Sequence, residues 1–382
     1  MLKKVVFLIR DLNYAGAQRQ LVNLVKGIDR RYFDVTVLYF YAGGALAKEL
    51  EINKIKAICL HKQERWDLLP FLRRLVKHLR EIKPNALHGY LGESNLISIL
   101  LKPFFPKTRM IWGIRESDTD PELYGWIGRL LSYLECKLSH FADLIIVNSY
   151  AGKSYHQKLG FPAQKMIVIP NGLDIERFIP LHEVGKKARK EWGISEDMKL
   201  IGLVGRLDPM KDHPTFLKAA AIICENRQDV RFVCVGTGPQ MYADKLHELA
   251  NNLGLKNKVI WSGTRGDMPA VFNSFDIATS TSAYGEGFGN VIGEAMACGV
   301  PCVVTDVGDS RMIVGDTGIV IPPRNPQALA DAWLTTLEHS KNSLVIANQY
   351  NSKVTNARER IEKNFSSQIL HEKTAMELKN II

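Results

Sequence analysis

The sequence predicts an α/β protein of two successive units, each a parallel sheet flanked by helices. Three observations carry this. Short apolar runs alternate with stretches of helical periodicity along the chain, which is the rhythm of strand–helix–strand units. The alternation breaks in a polar stretch rich in Lys and Glu after Pro170-Asn171-Gly172 and resumes with the apolar run Leu200 to Val204. A chain of 382 residues is also long enough for two cores. The expected divisions are residues 1–172 for the first unit, 173–198 for a linker, 199–360 for the second unit and 361–382 for a terminal helix.

Composition narrows the class. Apolar residues at 46% and charged residues at 24% describe a globular chain, and no apolar run reaches the length of a membrane span. The basic, apolar start from Met1 to Arg10 lacks a small-residue cleavage site and reads as a first strand, not a signal peptide. Six cysteines without a Cys-x-x-Cys pair suit buried thiols in a reducing cytoplasm. Charge is one-sided: residues 1–180 hold 27 Lys and Arg against 17 Asp and Glu, whereas 181–382 hold 23 of each. The first unit is therefore expected to face an anionic surface or acceptor.

In the first half, Val5 to Ile9 is a strand leading into a loop with Gly16 and a helix from about Gln20. No Gly-x-Gly-x-x-Gly follows this strand, so a nicotinamide or flavin site lacks its fingerprint. Phe33–Phe40 and Ile55–Leu60 are the next strands. Trp66–Ile82 is an amphipathic helix, apolar at Leu68, Phe71, Leu72, Leu75, Leu79 and Ile82 and basic at Arg73, Arg74, Lys77 and Arg80. A crossover helix with a solvated basic back explains it, and so does a helix lying on an anionic membrane. The Pro-bounded, basic cluster Leu100 to Arg109 holds adjacent Phe104 and Phe105, which cannot both point inward easily, and adds to the membrane reading. Asn85–Tyr90 and Arg109–Ser117 look like strands with polar ends, which makes His88 and Arg115 acceptor-side candidates. A lone strand-end His is also a common structural residue. Asp143–Asn148 is the last clear strand of this half.

In the second half, Gly205-Arg206-Leu207 and Lys211 follow the strand Leu200–Val204, placing a planar fork and a point charge after a strand end. Arg231–Val235 ends in Gly236-Thr237-Gly238, and Val259–Trp261 runs into a turn with Arg265. The chain then reaches Gly285-Glu286-Gly287-Phe288-Gly289-Asn290-Val291-Ile292-Gly293-Glu294, a strand, a Gly-rich loop and a helix start. Amides of Phe288 to Val291 at that helix end suit a phosphate or sugar hydroxyls, and two carboxylates beside them suit a ligand that also carries hydroxyls. Either Glu alone is unremarkable surface chemistry; the pair in this glycine setting is not.

Glu286, seven residues, then Glu294, inside a Gly-Phe-Gly-Asn loop, resembles the signature of the retaining glycosyltransferase family four, also called glycosyl transferase group 1. Pro170-Asn171-Gly172-Leu173-Asp174 with Phe178, Gly205-Arg206-Leu207 and Lys211 are similar to the family's linker and diphosphate clamp. The resemblance implies a GT-B fold: two Rossmann-like domains facing each other across a cleft, with a C-terminal helix crossing back to the first. It implies that Arg206, Lys211 and Glu286 are catalytic, the cations on the donor diphosphate and Glu286 on the transferred sugar. Glu294 falls on the nucleotide ribose, and Gly16, Gly205, Gly236, Arg265, Phe288, Gly289, Asn290 and Val291 on the donor. The loop with Gly16 has Ala15 and Gln18 where the family has Gly and Glu, and Arg115 stands where many relatives carry His.

The expected reaction moves a sugar from a nucleotide diphosphate to a glycan or lipid-linked acceptor with retention. No metal or other cofactor is expected, because two fixed cations face the departing diphosphate. The segment Ile111–Ser117 resembles enzymes that build bacterial surface polysaccharides, lipopolysaccharide among them, often from UDP-N-acetylhexosamines. No nucleic-acid partner is expected, and the expected location is the cytoplasm, with peripheral contact at the inner face of the membrane. The alternatives are a nucleotide-sugar epimerase or phosphorylase on the same frame, or a noncatalytic sugar-binding assembly partner.

Overall fold

A computed structural model describes residues 2–63, 67–115, 117, 125–339 and 344–382. The chain divides into one unit of residues 1–172 with 367–382 and a second of residues 173–366.

The first unit is a seven-stranded parallel sheet: β1 (Lys3–Ile9), β2 (Phe33–Tyr39), β3 (Lys56–Cys59), β4 (Ala86–Tyr90), β5 (Arg109–Ile114), β6 (Leu144–Val147) and β7 (Met166–Val168), in the order β3-β2-β1-β4-β5-β6-β7. Parallel strands need crossover connections, supplied here by α1 (Gly16–Gly27), α2 (Ala45–Ile52), α3 (Leu68–Ile82), α4 (Gly92–Leu100), α5 (Gly125–Ser139) and α6 (Tyr150–Lys158). Helices on both faces explain why β1 is apolar without alternation, with Val5 to Ile9 all fully buried. The amphipathic pattern of α3 belongs to this packing. Phe71, Leu75 and Leu79 are buried on the sheet, and Arg74 is tied to the Leu60 carbonyl at 2.6 Å and Asp67 at 2.9 Å. Trp66 lies outside the described residues. The adjacent phenylalanines split, Phe105 packing on the core and Phe104 standing 69% exposed.

The second unit repeats the plan with six parallel strands: β8 (Lys199–Val204), β9 (Val230–Val235), β10 (Val259–Gly263), β11 (Ile277–Ser280), β12 (Cys302–Thr305) and β13 (Ile319–Ile321), in the order β10-β9-β8-β11-β12-β13. Its helices are α7 (His182–Glu191), α8 (His213–Asn226), α9 (Gln240–Asn252), α10 (Met268–Asn273), α11 (Asn290–Ala297), α12 (Ser310–Val314), α13 (Pro326–His339) and α14 (Leu344–Phe365). Strand order reverses between β8 and β11, and a parallel sheet presents ligand sites at the C-terminal strand ends beside such a reversal.

Two boundaries differ from expectation. The polar stretch read as a linker folds as α7 on α10: a Cβ on Gly185 would collide with the Asn273 carbonyl, and Arg189 binds the Ser274 carbonyl at 2.9 Å and Asp276 at 3.0 Å. Only Gly185 and Ala188 of α7 are buried, so its sequence reads as solvated. At the other end α14 runs to Phe365, because Ile361 and Phe365 pack in the core that also holds Phe288 and Ile292. The final helix, α15 (Ser367–Ile381), then completes the first unit, with Leu370 and Leu378 in its core. Asn23 on α1 donates to the Gly172 carbonyl at 3.0 Å and to Ser367 at 2.9 Å, while His371 meets the Asn23 carbonyl at 3.0 Å.

Candidate functional site

The loops leaving β8 and β11 build the best-organised constellation in the second unit. After Gly205, Asp208 caps a short turn by accepting from the Met210 amide at 2.9 Å, and Asp212 caps α8 by accepting from Thr215. The loop after β11 grips this turn. Ala283 donates to the Met210 carbonyl at 2.8 Å, and the Thr281 hydroxyl donates to the Lys211 carbonyl at 2.6 Å. With its backbone fixed, Lys211 directs its ammonium onto Glu286 as an ion pair, both side chains nearly buried at 15% and 12% exposure. Gly205 lets the lysine stem pass, since a Cβ there would sit 3.3 Å from Lys211 Cγ.

The Ser282 hydroxyl donates to the same carboxylate oxygen of Glu286 at 2.8 Å, and Thr305 donates to the Ser282 carbonyl at 2.7 Å. Burial pushes the Glu286 carboxyl up, but the Lys211 charge and hydrogen bond, the Ser282 hydroxyl and the Arg206 charge outweigh it and hold its pKa below the ordinary carboxylate value. The Glu286 carboxylate is thus ionised at neutral pH. Arg206 differs from Lys211. Its side chain is 74% exposed and its contact with Asp208 is loose at 3.7 Å, so it offers an exposed guanidinium whose charge is felt by the buried Glu286. Beneath the loop His213 is fully buried, and burial with the Lys211 charge depresses it to about 4, leaving a neutral ring.

Three neighbouring strand-end loops are locked together. Gly205 donates to the Val235 carbonyl at 2.9 Å, Gly236 to the Gly263 carbonyl at 2.9 Å and Leu207 to the Thr237 carbonyl at 3.0 Å. A Cβ on Gly236 would fall on the Gly205 carbonyl oxygen, and one on Gly238 on that of Leu207. These glycines, which in sequence look like part of a dinucleotide fingerprint, permit backbone to approach backbone. Arg265 binds Asp267 at 2.6 and 2.8 Å and Glu191 at 2.9 Å, with its guanidinium over Trp192. Its charge is compensated within the unit, so its backbone remains the part suited to a donor.

The Gly-rich loop is held from both sides. Phe288 is buried with its ring 5.4 Å from that of Phe365, and the Gly287 carbonyl accepts from the Asp309 amide at 3.0 Å. Gly308, with φ of +62°, lies so close that a Cβ would strike the Glu286 carbonyl oxygen. α11 then begins at Asn290 with Gly289 at its cap, a residue that has no side chain to cap the first amides. Glu294, half-buried on α11, helps burial push the Cys298 thiol to about 12. Ser282, Thr281 and Gly308 were not singled out from sequence. Each lies at or just after a strand end, which was the available signal.

The remaining candidates lie in the first unit. Gly16 is the exposed first residue of α1. His88 is fully buried between the rings of Phe7 and Tyr90, and burial, then the Arg115 charge, hold it well below its ordinary pKa. A ring with no exposure cannot touch an acceptor as expected. Arg115 is the strand-end group that reaches solvent: it donates to Tyr90 Oη at 2.6 Å and Asn171 Oδ1 at 3.2 Å and lies 4.5 Å from the Tyr90 ring centre. Glu116 lies outside the described residues.

With this geometry in place, sequence comparison gives the class. Residues 198–339 match "Glycosyl transferases group 1" and residues 14–177 match "Glycosyltransferase Family 4". The chain belongs to the group 1 glycosyltransferases and has their two-domain GT-B fold. It is 24% identical over 310 residues to the putative glycosyltransferase EpsF of Bacillus subtilis, covering 80% of this chain and 79% of that one. It is 28% identical over 281 residues to a Campylobacter jejuni enzyme, N-acetylgalactosamine-N,N'-diacetylbacillosaminyl-diphospho-undecaprenol 4-alpha-N-acetylgalactosaminyltransferase, covering 72% and 73% of the two chains. The crystal structure of Anabaena HepE in complex with UDP superposes with a TM-score of 0.85 at 25% identity, covering 99% of this chain and 100% of HepE; HepE has also been crystallised with UDP-glucose.

Proposed function

We propose that this glycosyltransferase moves a sugar from a UDP-sugar, a UDP-N-acetylhexosamine, to a hydroxyl of a lipid-linked glycan, with retention and without a metal, in bacterial surface polysaccharide synthesis at the cytoplasmic face of the inner membrane. The observation that carries the reading is the buried Lys211–Glu286 pair beneath the exposed Arg206 guanidinium. Breaking the anomeric C–O bond builds negative charge on the diphosphate and positive charge on the sugar ring. Arg206 and the α11 amides face the first, Lys211 adds a second cation, and the ionised Glu286 accepts hydrogen bonds from sugar hydroxyls. Glu294 holds the ribose. The UDP complex of HepE supports the nucleotide, and the name of the Campylobacter relative supports both the N-acetylhexosamine and the lipid carrier.

Titrating UDP-, GDP- and ADP-sugars tests the donor; no preference for UDP would overturn it. Arg206→Ala should lower kcat by ~10²-fold or more, because the guanidinium acts on charge that develops in the transition state. Turnover within a few-fold of the parent would remove Arg206 from the mechanism. UDP release should require acceptor; conversion of the donor into an epimeric UDP-sugar without acceptor and without net UDP release would favour the epimerase reading.

A further inference from the structure

The strand ends of the first unit hold a positive charge that no carboxylate among the described residues balances. Arg115 follows β5 and is half-buried, and its guanidinium meets only neutral side-chain oxygens, Tyr90 Oη at 2.6 Å and Asn171 Oδ1 at 3.2 Å. Its Nε is buried without a partner. Arg74, Arg189, Arg227, Arg265 and Arg358, equally half-buried, each close on a carboxylate. Arginine keeps its charge inside a protein, and a charge withdrawn from water calls for a counter-charge. The group is also fixed in place. Its guanidinium lies over the ring of fully buried Tyr90, and Asn148 donates to the Arg115 carbonyl at 3.5 Å. Asn171 precedes Gly172, whose amide and carbonyl bond the Gln20 side chain at 3.0 and 2.9 Å. His88 supplies no compensation from below, being an enclosed ring that burial keeps neutral.

The geometry points to an oxyanion site: Arg115, held by Tyr90 and Asn171, takes a phosphate or carboxylate carried by the acceptor. Two of the guanidinium N–H groups are spent on these neighbours and Nε–H is enclosed, which leaves one N–H on each terminal nitrogen for a ligand. A pre-set fork loses little freedom on binding, and its charge acts strongly where water is partly excluded. Position agrees with chemistry. Tyr90, Arg115, Asn148 and Asn171 end or follow β4, β5, β6 and β7, and the C-terminal ends of a parallel sheet are where ligands sit. The excess of 27 Lys and Arg over 17 Asp and Glu in residues 1–180 favours an anion there. The donor diphosphate does not need this cation, because Arg206, Lys211 and the α11 amides serve it in the second unit. Naming the acceptor as the carrier rests on the proposed function; the ligand's negative charge rests on Arg115 alone.

The test uses the full chain and two matched pairs of acceptors. One pair is an N-acetylhexosamine on farnesyl diphosphate against the neutral farnesyl glycoside of the same sugar; the other is octyl glucuronide against octyl glucoside. Calorimetry without donor should show the anionic member of at least one pair binding about 10- to 100-fold more tightly, and the pair that responds identifies the anion as phosphate or carboxylate. Arg115→Gln should erase that preference. If circular dichroism shows this variant unfolded, Arg115→Lys, which keeps the charge without the planar fork, should cut the preference several-fold. In sugar transfer the variant should raise KM for the anionic acceptor and not for the UDP-sugar. No preference by the parent, or a preference that survives the substitution, overturns the proposal. So does equal weakening of both members of a pair, which marks a structural arginine, or a rise in donor KM, which marks a donor residue. A failed donor reading would appear in the titration of nucleotide sugars and leave these donor-free measurements unchanged.

Discussion

Lys211→Ala is expected to lower kcat by roughly 10²- to 10³-fold and to destabilise the second unit by about 3–5 kcal/mol. Both effects have one cause. The ammonium is the strongest of the groups opposing the burial of Glu286, and both side chains are far below one-third exposed, so the loss is weakly screened. Its removal strands a buried carboxylate. The pH dependence follows. In the parent the folded-state pKa of Glu286 lies below its ordinary 4.5, so its contribution to stability is present above that value and lost as pH falls through the depressed one. Without Lys211 burial prevails and the pKa rises, which moves the acid limb of kcat to higher pH. Urea unfolding at pH 7 and pH–rate profiles read the two effects. Adding Glu286→Gln should recover much of the stability but none of the turnover, the mark of a coupled pair. An unchanged unfolding midpoint with near-parental kcat would show that the pair serves neither purpose.

The fold and the chemistry of this pair were legible in sequence to different degrees. Continuous apolar runs such as Val5 to Ile9 announce strands buried on both faces, and their alternation with helical patterns yields two parallel sheets. Arg206, Lys211, Glu286 and Glu294 were readable because their motifs resemble those of the family; each taken alone looks like an ordinary surface charge. What was not readable is which charges meet. Arg206 and Lys211 look equivalent in sequence, yet one is exposed and the other buried on Glu286, because the Thr281 and Ala283 contacts fix the lysine's backbone. Arg265 read as a ligand because nothing local shows Glu191 approaching it across 74 positions. His88 read as reachable because its burial depends on Phe7 and Tyr90 from the same sheet.

Gly308→Ala should have the second large effect, although the residue carries no chemistry. At φ of +62° a side chain costs ~1–2 kcal/mol by itself, and the new Cβ would also meet the Glu286 and Gly287 carbonyl oxygens, which are backbone and cannot rotate away. The loop must therefore move, with strain on the bond from the Asp309 amide to the Gly287 carbonyl. On the proposed role of Glu286 in orienting the sugar, a displacement of about 1 Å lowers kcat by ~10²-fold. Gly254→Ala separates strain from collision. Gly254 has a similar φ of +72° with nothing within 4 Å of the new Cβ, so the substitution should cost only the ~1–2 kcal/mol of strain while leaving kcat unchanged. Equal kcat for the two variants would mean that the Glu286 loop tolerates displacement and that its carboxylate does not orient the reacting sugar. Loss confined to Gly308→Ala, with Glu286 chemically untouched, would show that the position of this carboxylate, and not its charge alone, sets the rate.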